Sequence, residues 1–290
     1  GVPDVLVSNQ VVGRRKIAHL VALSREAKVG VCVDDAGNAT EIGRAAVEGG
    51  VTIDALVEID VGAGRCGVPP GDEALALARR VASADGLRFA GLQAYHGSAQ
   101  HIRDYAERGR AIDSAASMAR TTVESLAREG IECETVAGAG TGTWQFEAAS
   151  GVYNELQAGS YIFMDVDYAK NLDASGAPFA DFEHSLFVHS TVMSRPVRER
   201  AVLDAGLKAF ATDCGMPRLA DIESAPVLKA SDEHAVVDLT ASNASVGVGD
   251  RVRLIPGHCD PTVNLYDWYV CVRGDRVEAL WPIVARGCVW

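Results

Sequence analysis

From Val5 to about Asp165, apolar β-branched runs alternate with Ala-rich stretches whose apolar positions recur near every 3.6 residues. That is the pattern of repeated β-α units around a parallel sheet. It predicts strands at Val5–Ser8, Val29–Asp34, Ile53–Val61, Phe89–Tyr95, Glu134–Ala139 and Leu156–Met164. Helices are expected over Arg14–Ala27, Ala39–Glu48, Asp72–Ala84, Ala99–Glu129 and Gln145–Ser150, with Gly49-Gly50 and Gly130 as stop signals. Polar, Gly-rich residues recur at the carboxyl ends of successive strands: Gly62-Ala63-Gly64-Arg65, His96-Gly97 and Gly138 through Thr143. This favours an α/β barrel over an open sheet. No Gly-rich dinucleotide fingerprint is assigned, so a nicotinamide or flavin Rossmann reading is weak.

After about His184 the pattern changes to short alternating strands joined by turns, at Val188–Val192, Arg200–Ala205, His234–Leu239, Arg251–Ile255, Trp268–Val272 and Arg276–Trp281. Arg273-Gly274-Asp275 is a hairpin turn. The expected organisation is a partial β/α barrel over residues 1–185 and an antiparallel β domain over 186–290. A (β/α)8 barrel typically uses about 250 residues. The β/α part is shorter and Val5 opens directly as a strand expected to be buried, so an upstream segment of the same protein is expected to supply the missing strands.

Composition narrows the function. The 290 residues are 48% hydrophobic, with seven scattered cysteines and no C-x-x-C pair, which fits reduced thiols, most of them buried, in a cytoplasmic protein. A formal net charge of -12 argues against a nucleic-acid partner. No apolar run approaches the roughly 18 residues of a membrane span.

The stretch Pro256-Gly257-His258-Cys259-Asp260-Pro261 carries the most chemistry. If the strand at Arg251–Ile255 continues, a period of two brings His258 and Asp260 to one face and turns Cys259 away. Imidazole plus carboxylate suits Mg, Mn, Co or Zn, and two protein ligands leave positions open for substrate and water. The alternative is a His and an Asp capping a turn. The Gly140-Thr141-Gly142-Thr143 loop offers backbone N–H groups and hydroxyls to a phosphate, and Ala158-Gly159-Ser160-Tyr161 repeats that chemistry at the next strand. Arg65, set among glycines, is either a cation facing a flat ligand or one half of a salt bridge.

The runs Asp54–Val68, Leu87–Gly97, Glu155–Asp165 and Pro256–Val270 resemble the metal-activated, pyridoxal-phosphate enzymes of the alanine-racemase barrel type. These include D-threonine aldolase, 3-hydroxy-D-aspartate aldolase and eukaryotic-type D-serine dehydratase; the last run is most like 3-hydroxy-D-aspartate aldolase. The resemblance implies an alanine-racemase-type barrel with a β domain, and a lyase, working as a homodimer, that cleaves a D-3-hydroxy amino acid to glycine and an aldehyde or glyoxylate. Arg65 would face the pyridine nitrogen, with Thr141, Gly159, Ser160 and Tyr168 on the phosphate. Gln93, Tyr95 and His96 would line the ring, with His96 a candidate base, and His258 and Asp260 would bind the metal. The family's dehydratases tend to carry His-x-Cys, so Asp260 favours the aldolase over a D-serine or 3-hydroxyaspartate dehydratase. No residue matches the Schiff-base lysine, which is expected in the upstream segment. A non-catalytic pyridoxal-phosphate carrier and an inactive fragment are the remaining readings. Arg103, Arg195 and Arg198 are candidates to select a β-carboxylate.

Overall fold

The computed structural model describes residues 1–288, which divide into two compact units, Gly1–Gly159 and Ser160 onward. The first contains β1 (Asp4–Gln10), α1 (Arg14–Leu23), β2 (Lys28–Val33), α2 (Ala36–Gly49), β3 (Ile53–Glu58), α3 (Asp72–Ala82), β4 (Leu87–Gln93), α4 (Tyr105–Arg128), β5 (Thr135–Gly138), α5 (Trp144–Ala149) and β6 (Glu155–Leu156). The six strands are parallel and lie in sequence order, β1 to β6, as a segment of a β/α barrel.

The inner strands β2, β3 and β4 are buried along nearly their whole length, as a sheet covered on both faces requires. Helix α2 starts where the Asp35 carboxylate accepts the Asn38 N–H at 2.7 Å and stops at Gly50, whose φ of 68° an L side chain rarely adopts. Helix α3 buries Ala74, Leu77, Ala78 and Val81, one face at helical spacing. These side chains meet Val31, Val33, Ala55, Val57 and Ile42 in the main core.

Two edge elements differ from expectation. Among the described residues strand β1 pairs only with β2, and it is largely exposed, Val5 to 38%, where a buried strand was expected. The strand expected over Leu156–Met164 is only two residues long. Beyond it the chain turns into a 3-10 helix at Ser160–Ile162, closed by the Phe163 and Met164 N–H groups donating to the Ser160 carbonyl. The helix expected from Ala99 is a 3-10 turn at Gly97–His101 followed by α4, because Asp104 caps a fresh start by accepting the Glu107 N–H.

The second unit contains β7 (Val188–Val197), β8 (Arg200–Leu203), β9 (Arg218–Leu219), β10 (Val227–Ala230), β11 (Ala235–Asp238), β12 (Arg251–Ile255), α6 (Cys259–Val263), β13 (Trp268–Arg273) and β14 (Arg276–Pro282). The antiparallel strands start at Val188. One sheet runs β10-β11-β8-β7-β12-β9, and β13-β14 form a separate hairpin turning at Gly274, φ 58°. Val188, Leu203, Phe210, Leu219, Val237 and Leu254 form its core. Strand β12 lies between β7 and β9, with Leu254 opposite both Val188 and Leu219 and Ile255 opposite Arg218. That register carries Pro256–His258 back along the loop that precedes β9. Among the described residues no helix is long and apolar enough to cross a membrane.

Candidate functional site

In the first unit, chemistry gathers at the carboxyl ends of the strands. After β3 the chain folds back on the Asp60 carboxylate, which accepts the Gly62 and Gly64 N–H groups at 3.0 and 3.1 Å, while Asp34 accepts Gly67 N–H at 3.0 Å. Those backbone bonds hold Asp60 below the ordinary carboxylate range. Gly62, Gly64 and Gly67 do have the G-x-G-x-x-G spacing after a strand, which the sequence reading passed over. The loop curls onto these two carboxylates, and the next helix begins only at Asp72, so the phosphate-binding context of that fingerprint is absent.

The Arg65 guanidinium sits 5.4 Å from the centre of the Tyr95 ring, a cation–π contact, and forms no ion pair among the described residues. His96 packs on Gly62, where a Cβ would come within 2.6 Å of its Nε2, and its Nδ1 is 3.3 Å from Ser98 Oγ. Burial lowers the His96 pKa against the opposing pull of Asp60. Gln93 is buried; its amide donates to Gln157 Oε1 at 2.7 Å, and its own Oε1 finds no partner among the described residues.

The loop after β5 is held from beneath. Ala139 takes φ 68°, and Gln100 accepts the Gly142 N–H at 3.0 Å and donates to Thr143 Oγ1 at 2.8 Å. Thr143 in turn donates to Glu147 Oε1 at 2.8 Å. Gly140 is needed because a Cβ there would lie 2.4 Å from Gln100 Oε1. In the middle of this braced loop the Thr141 hydroxyl is buried and has no partner among the described residues. Buried polar atoms are almost always satisfied, so an orphan hydroxyl in a braced loop, with an orphan amide oxygen at Gln93, fits a bound polar group such as the cofactor phosphate and ring. Lys16 lies on the exposed face of α1, and Lys28 sits at the start of β2 bonded to Asp4 at 3.0 Å; neither is at a strand's carboxyl end.

In the second unit, the H-x-D motif is assembled differently from the strand extension expected of it. Strand β12 ends at Ile255, His258 is the extended residue before α6 (φ -142°, ψ 123°), and Asp260 lies in that helix's first turn. The pairing is nonetheless made: His258 Nε2 is 3.7 Å from Asp260 Oδ2. Cys259 is fully buried with its Sγ 3.2 Å from Asp260 Oδ1, and its backbone N–H donates to the buried Asp165 at 2.9 Å. Ser160, expected on a phosphate, donates its hydroxyl to Asp260 Oδ1 at 3.2 Å, and Tyr168 is buried in a 3-10 turn.

Sequence reasoning missed Asp213. Its Oδ2 is 2.7 Å from His258 Nδ1, so the imidazole is gripped by a carboxylate at each nitrogen. Asp260 and then Asp213 raise the His258 pKa to about 9 against the effect of burial, and His258 holds Asp260 low. Oxygen and nitrogen donors around one ring, half-buried, fit a divalent cation. The reason for the meeting is backbone contact: a Cβ on Gly257 would stand 2.0 Å from the Gly215 carbonyl oxygen. Nothing in the local pattern of Asp213-Cys214-Gly215 signals this, because the partner arrives through the β12–β9 register. Nor are most cysteines buried as expected: only Cys32 and Cys259 are.

The chain matches the family model for the alanine racemase N-terminal domain over residues 10–167, and that for a putative serine dehydratase domain over residues 185–272. It is 48% identical to a D-threonine aldolase of an Arthrobacter species over 99% of this chain and 75% of that protein. To the 3-hydroxy-D-aspartate aldolase of Paracoccus denitrificans (strain Pd 1222) it is 44% identical over 99% of this chain and 74% of the relative. The crystal structure of D-threonine aldolase from Filomicrobium marinum superposes with a TM-score of 0.96 at 46% identity, covering 100% of this chain and 78% of that one. The whole-chain identities thus do not single out 3-hydroxyaspartate, to which the Pro256–Val270 run alone pointed. Fold and chain-long identity together make this protein a member of the family of D-threonine aldolase and 3-hydroxy-D-aspartate aldolase, built on an alanine-racemase-type barrel.

Proposed function

We propose that the protein is a pyridoxal-phosphate- and divalent-metal-dependent aldolase that cleaves a D-3-hydroxy amino acid, of the D-threonine or 3-hydroxy-D-aspartate type, to glycine and an aldehyde or glyoxylate. The observation that carries this reading is the His258 ring held between Asp213 and Asp260, in a chain of this family. Arg65, Gln93, Tyr95, Thr141 and Gly159 are the first-unit residues assigned to the cofactor, whose conjugated ring would act as an electron sink for the pair released at Cα. Among second-unit residues, Ser160 supports Asp260, and Tyr168 is the weaker assignment. A Mg, Mn, Co or Zn ion at His258 and Asp260 would add Lewis acidity toward the substrate hydroxyl.

The chain's own residues divide the remaining work. The Arg65 guanidinium, stacked on Tyr95, discourages a second positive charge on the pyridine nitrogen. His96, its pKa lowered by burial, is able to accept the hydroxyl proton as the Cα–Cβ bond breaks. The electron pair of that bond goes to Cα, which is later protonated to give glycine, and the β-carbon leaves as the carbonyl product. Asp213 accepts the Nδ1–H of His258, so that the proton a metal ion would displace is the one on Nε2, on the Asp260 side. Asp260, where the dehydratase branch tends to carry a thiol, supports carbon–carbon cleavage over loss of water.

A homodimer belongs to this reading, supported by the β13–β14 hairpin, which exposes Trp268, Val270, Val272, Val277, Leu280 and Trp281. A cytoplasmic setting belongs to the same reading, supported by the scattered cysteine spacing without a C-x-x-C pair. The test is incubation with D-threonine and with 3-hydroxyaspartate stereoisomers, with and without EDTA, following glycine. Glycine formation that EDTA abolishes is expected; ammonia without glycine would replace the aldolase by a dehydratase, and neither product would leave a non-catalytic carrier.

A further inference from the structure

The Nδ1 side of His258 carries more than a hydrogen bond. Asp213 Oδ2, Cys214 Sγ and His258 Nδ1 lie together, each offering one ligand atom. The separations are 3.5 Å from Sγ to Nδ1, 3.6 Å from Sγ to Oδ2 and 2.7 Å from Oδ2 to Nδ1. A tetrahedral zinc ion with Zn–S near 2.3 Å and Zn–N or Zn–O near 2.0 Å sets sulfur roughly 3.5 Å from the other two ligands and the nitrogen roughly 3.3 Å from the oxygen. The two sulfur distances already match, and the remaining edge has only to relax from a hydrogen bond to a ligand–ligand spacing. The frame is fixed by the Gly257–Gly215 backbone contact, and the Cys214 carbonyl is tied to Lys170 Nζ at 3.3 Å.

We propose that Asp213, Cys214 and His258 Nδ1 form a second cation site, distinct from the His258 Nε2–Asp260 pair, that takes a thiophilic divalent ion of the Zn2+ or Cd2+ type and whose filling opposes filling of the first. The thiol selects the ion: sulfur favours Zn2+ and Cd2+ and is ignored by Mg2+ and Mn2+. Binding releases the Cys214 thiol proton and the His258 Nδ1 proton to solvent, and water completes the fourth position. The antagonism follows from the ring, because a neutral imidazole has one lone pair, and an ion at Nδ1 leaves the proton on Nε2. Only the antagonism rests on the proposed metal at Nε2; the second site does not.

The test strips the purified protein with a chelator and titrates it with Co2+, whose thiolate charge-transfer band reports sulfur ligation. The band is expected in the wild type, absent in Cys214→Ser and Cys214→Ala, retained in Cys259→Ala, and reached at tenfold or more higher Co2+ in Asp213→Asn. Zn2+ is expected to release bound Mn2+, read by the return of the free-ion EPR signal, at lower Zn2+ from the wild type than from Cys214→Ser. No band in the wild type, or one that survives loss of Cys214, overturns the site. Mn2+ that stays bound to the wild type at saturating Zn2+, or that leaves the wild type and Cys214→Ser at the same Zn2+, overturns the antagonism. A band that follows Cys214 in a protein that binds no Mn2+ upholds this site and overturns the antagonism.

Discussion

Glu147 should make the fold less stable as pH rises. It lies on α5 beneath the Gly140–Thr143 loop, 1% exposed, with one oxygen accepting the Thr143 hydroxyl and the other without a partner among the described residues. Burial raises its pKa from 4.5 to about 7, and the Thr143 bond only partly opposes the shift. A folded-state pKa above the unfolded one means the folded chain binds the proton more tightly. The contribution is therefore fully present below pH 4.5 and is lost as pH climbs through the window up to about 7. With each pKa unit worth about 1.4 kcal/mol, the difference amounts to about 3 kcal/mol.

Glu147→Gln keeps the shape and removes the charge. The variant is expected to match the wild type within about 1 kcal/mol near pH 4.5 and to exceed it by about 3 kcal/mol at pH 8, read from urea midpoints at constant m-value. Taking the difference between the two proteins cancels every other carboxylate that titrates over the same range. A stability difference that does not change with pH would refute the claim that Glu147 is held protonated. There is a functional corollary: a neutral Glu147 puts no second negative charge under a loop proposed to hold a phosphate.

Three further outcomes follow from the same contacts. Gly257→Ala must move the two loops apart by about 1.4 Å to turn a 2.0 Å overlap with Gly215 into ordinary 3.4 Å contact, which stretches the 2.7 Å Asp213–His258 bond beyond reach. A cost of about 1–3 kcal/mol in thermal unfolding, with weakened Mn2+ binding, is expected, and unchanged Mn2+ affinity would show that the contact does not organise the site. Asp213→Asn should weaken Mn2+ binding about 10–100-fold by EPR titration at nearly unchanged stability; equal affinity would remove Asp213 from the support of His258. Thr141→Val deletes a buried hydroxyl with no partner among the described residues, so stability without cofactor should hold or rise slightly, while pyridoxal phosphate should dissociate faster on dialysis, followed by absorbance; loss of stability instead would mean that the hydroxyl serves the fold.

The first unit was largely legible because its signals are local. Alternation of buried runs such as Val29–Val33 with helices bounded by Asp35 and Gly50 reports a parallel sheet covered on both faces, and each boundary depends on atoms a few residues away. Edges were harder. Leu156 is apolar yet 43% exposed at the end of β6, and nothing in Leu156–Met164 says that only one neighbour is there to pair with. The two-residue β9 was missed because an element so short leaves no period to detect. At the site, His258 and Asp260 could be found from a two-residue spacing, although the device that joins them is a helix start and not a pleat. Asp213 could not, since its only signature is long-range.

That long-range link also explains why the cluster tolerates so little change. Ile255 faces Arg218 across β12 and β9, and continuing this antiparallel register brings Gly257 past Gly215 and Met216 and His258 toward Asp213. Two glycines meet there for different reasons. Gly215 takes φ 118°, which an L side chain rarely adopts, whereas Gly257 leaves room for a carbonyl that any Cβ would strike. A slip of one residue in β12 would send Leu254 away from Val188 and Leu219 and turn His258 from Asp213 in the same movement. The apolar contacts of Leu254 therefore enforce the 2.7 Å bond on His258, and the β-sheet core sets the position of the ring nitrogen on which the proposed chemistry depends.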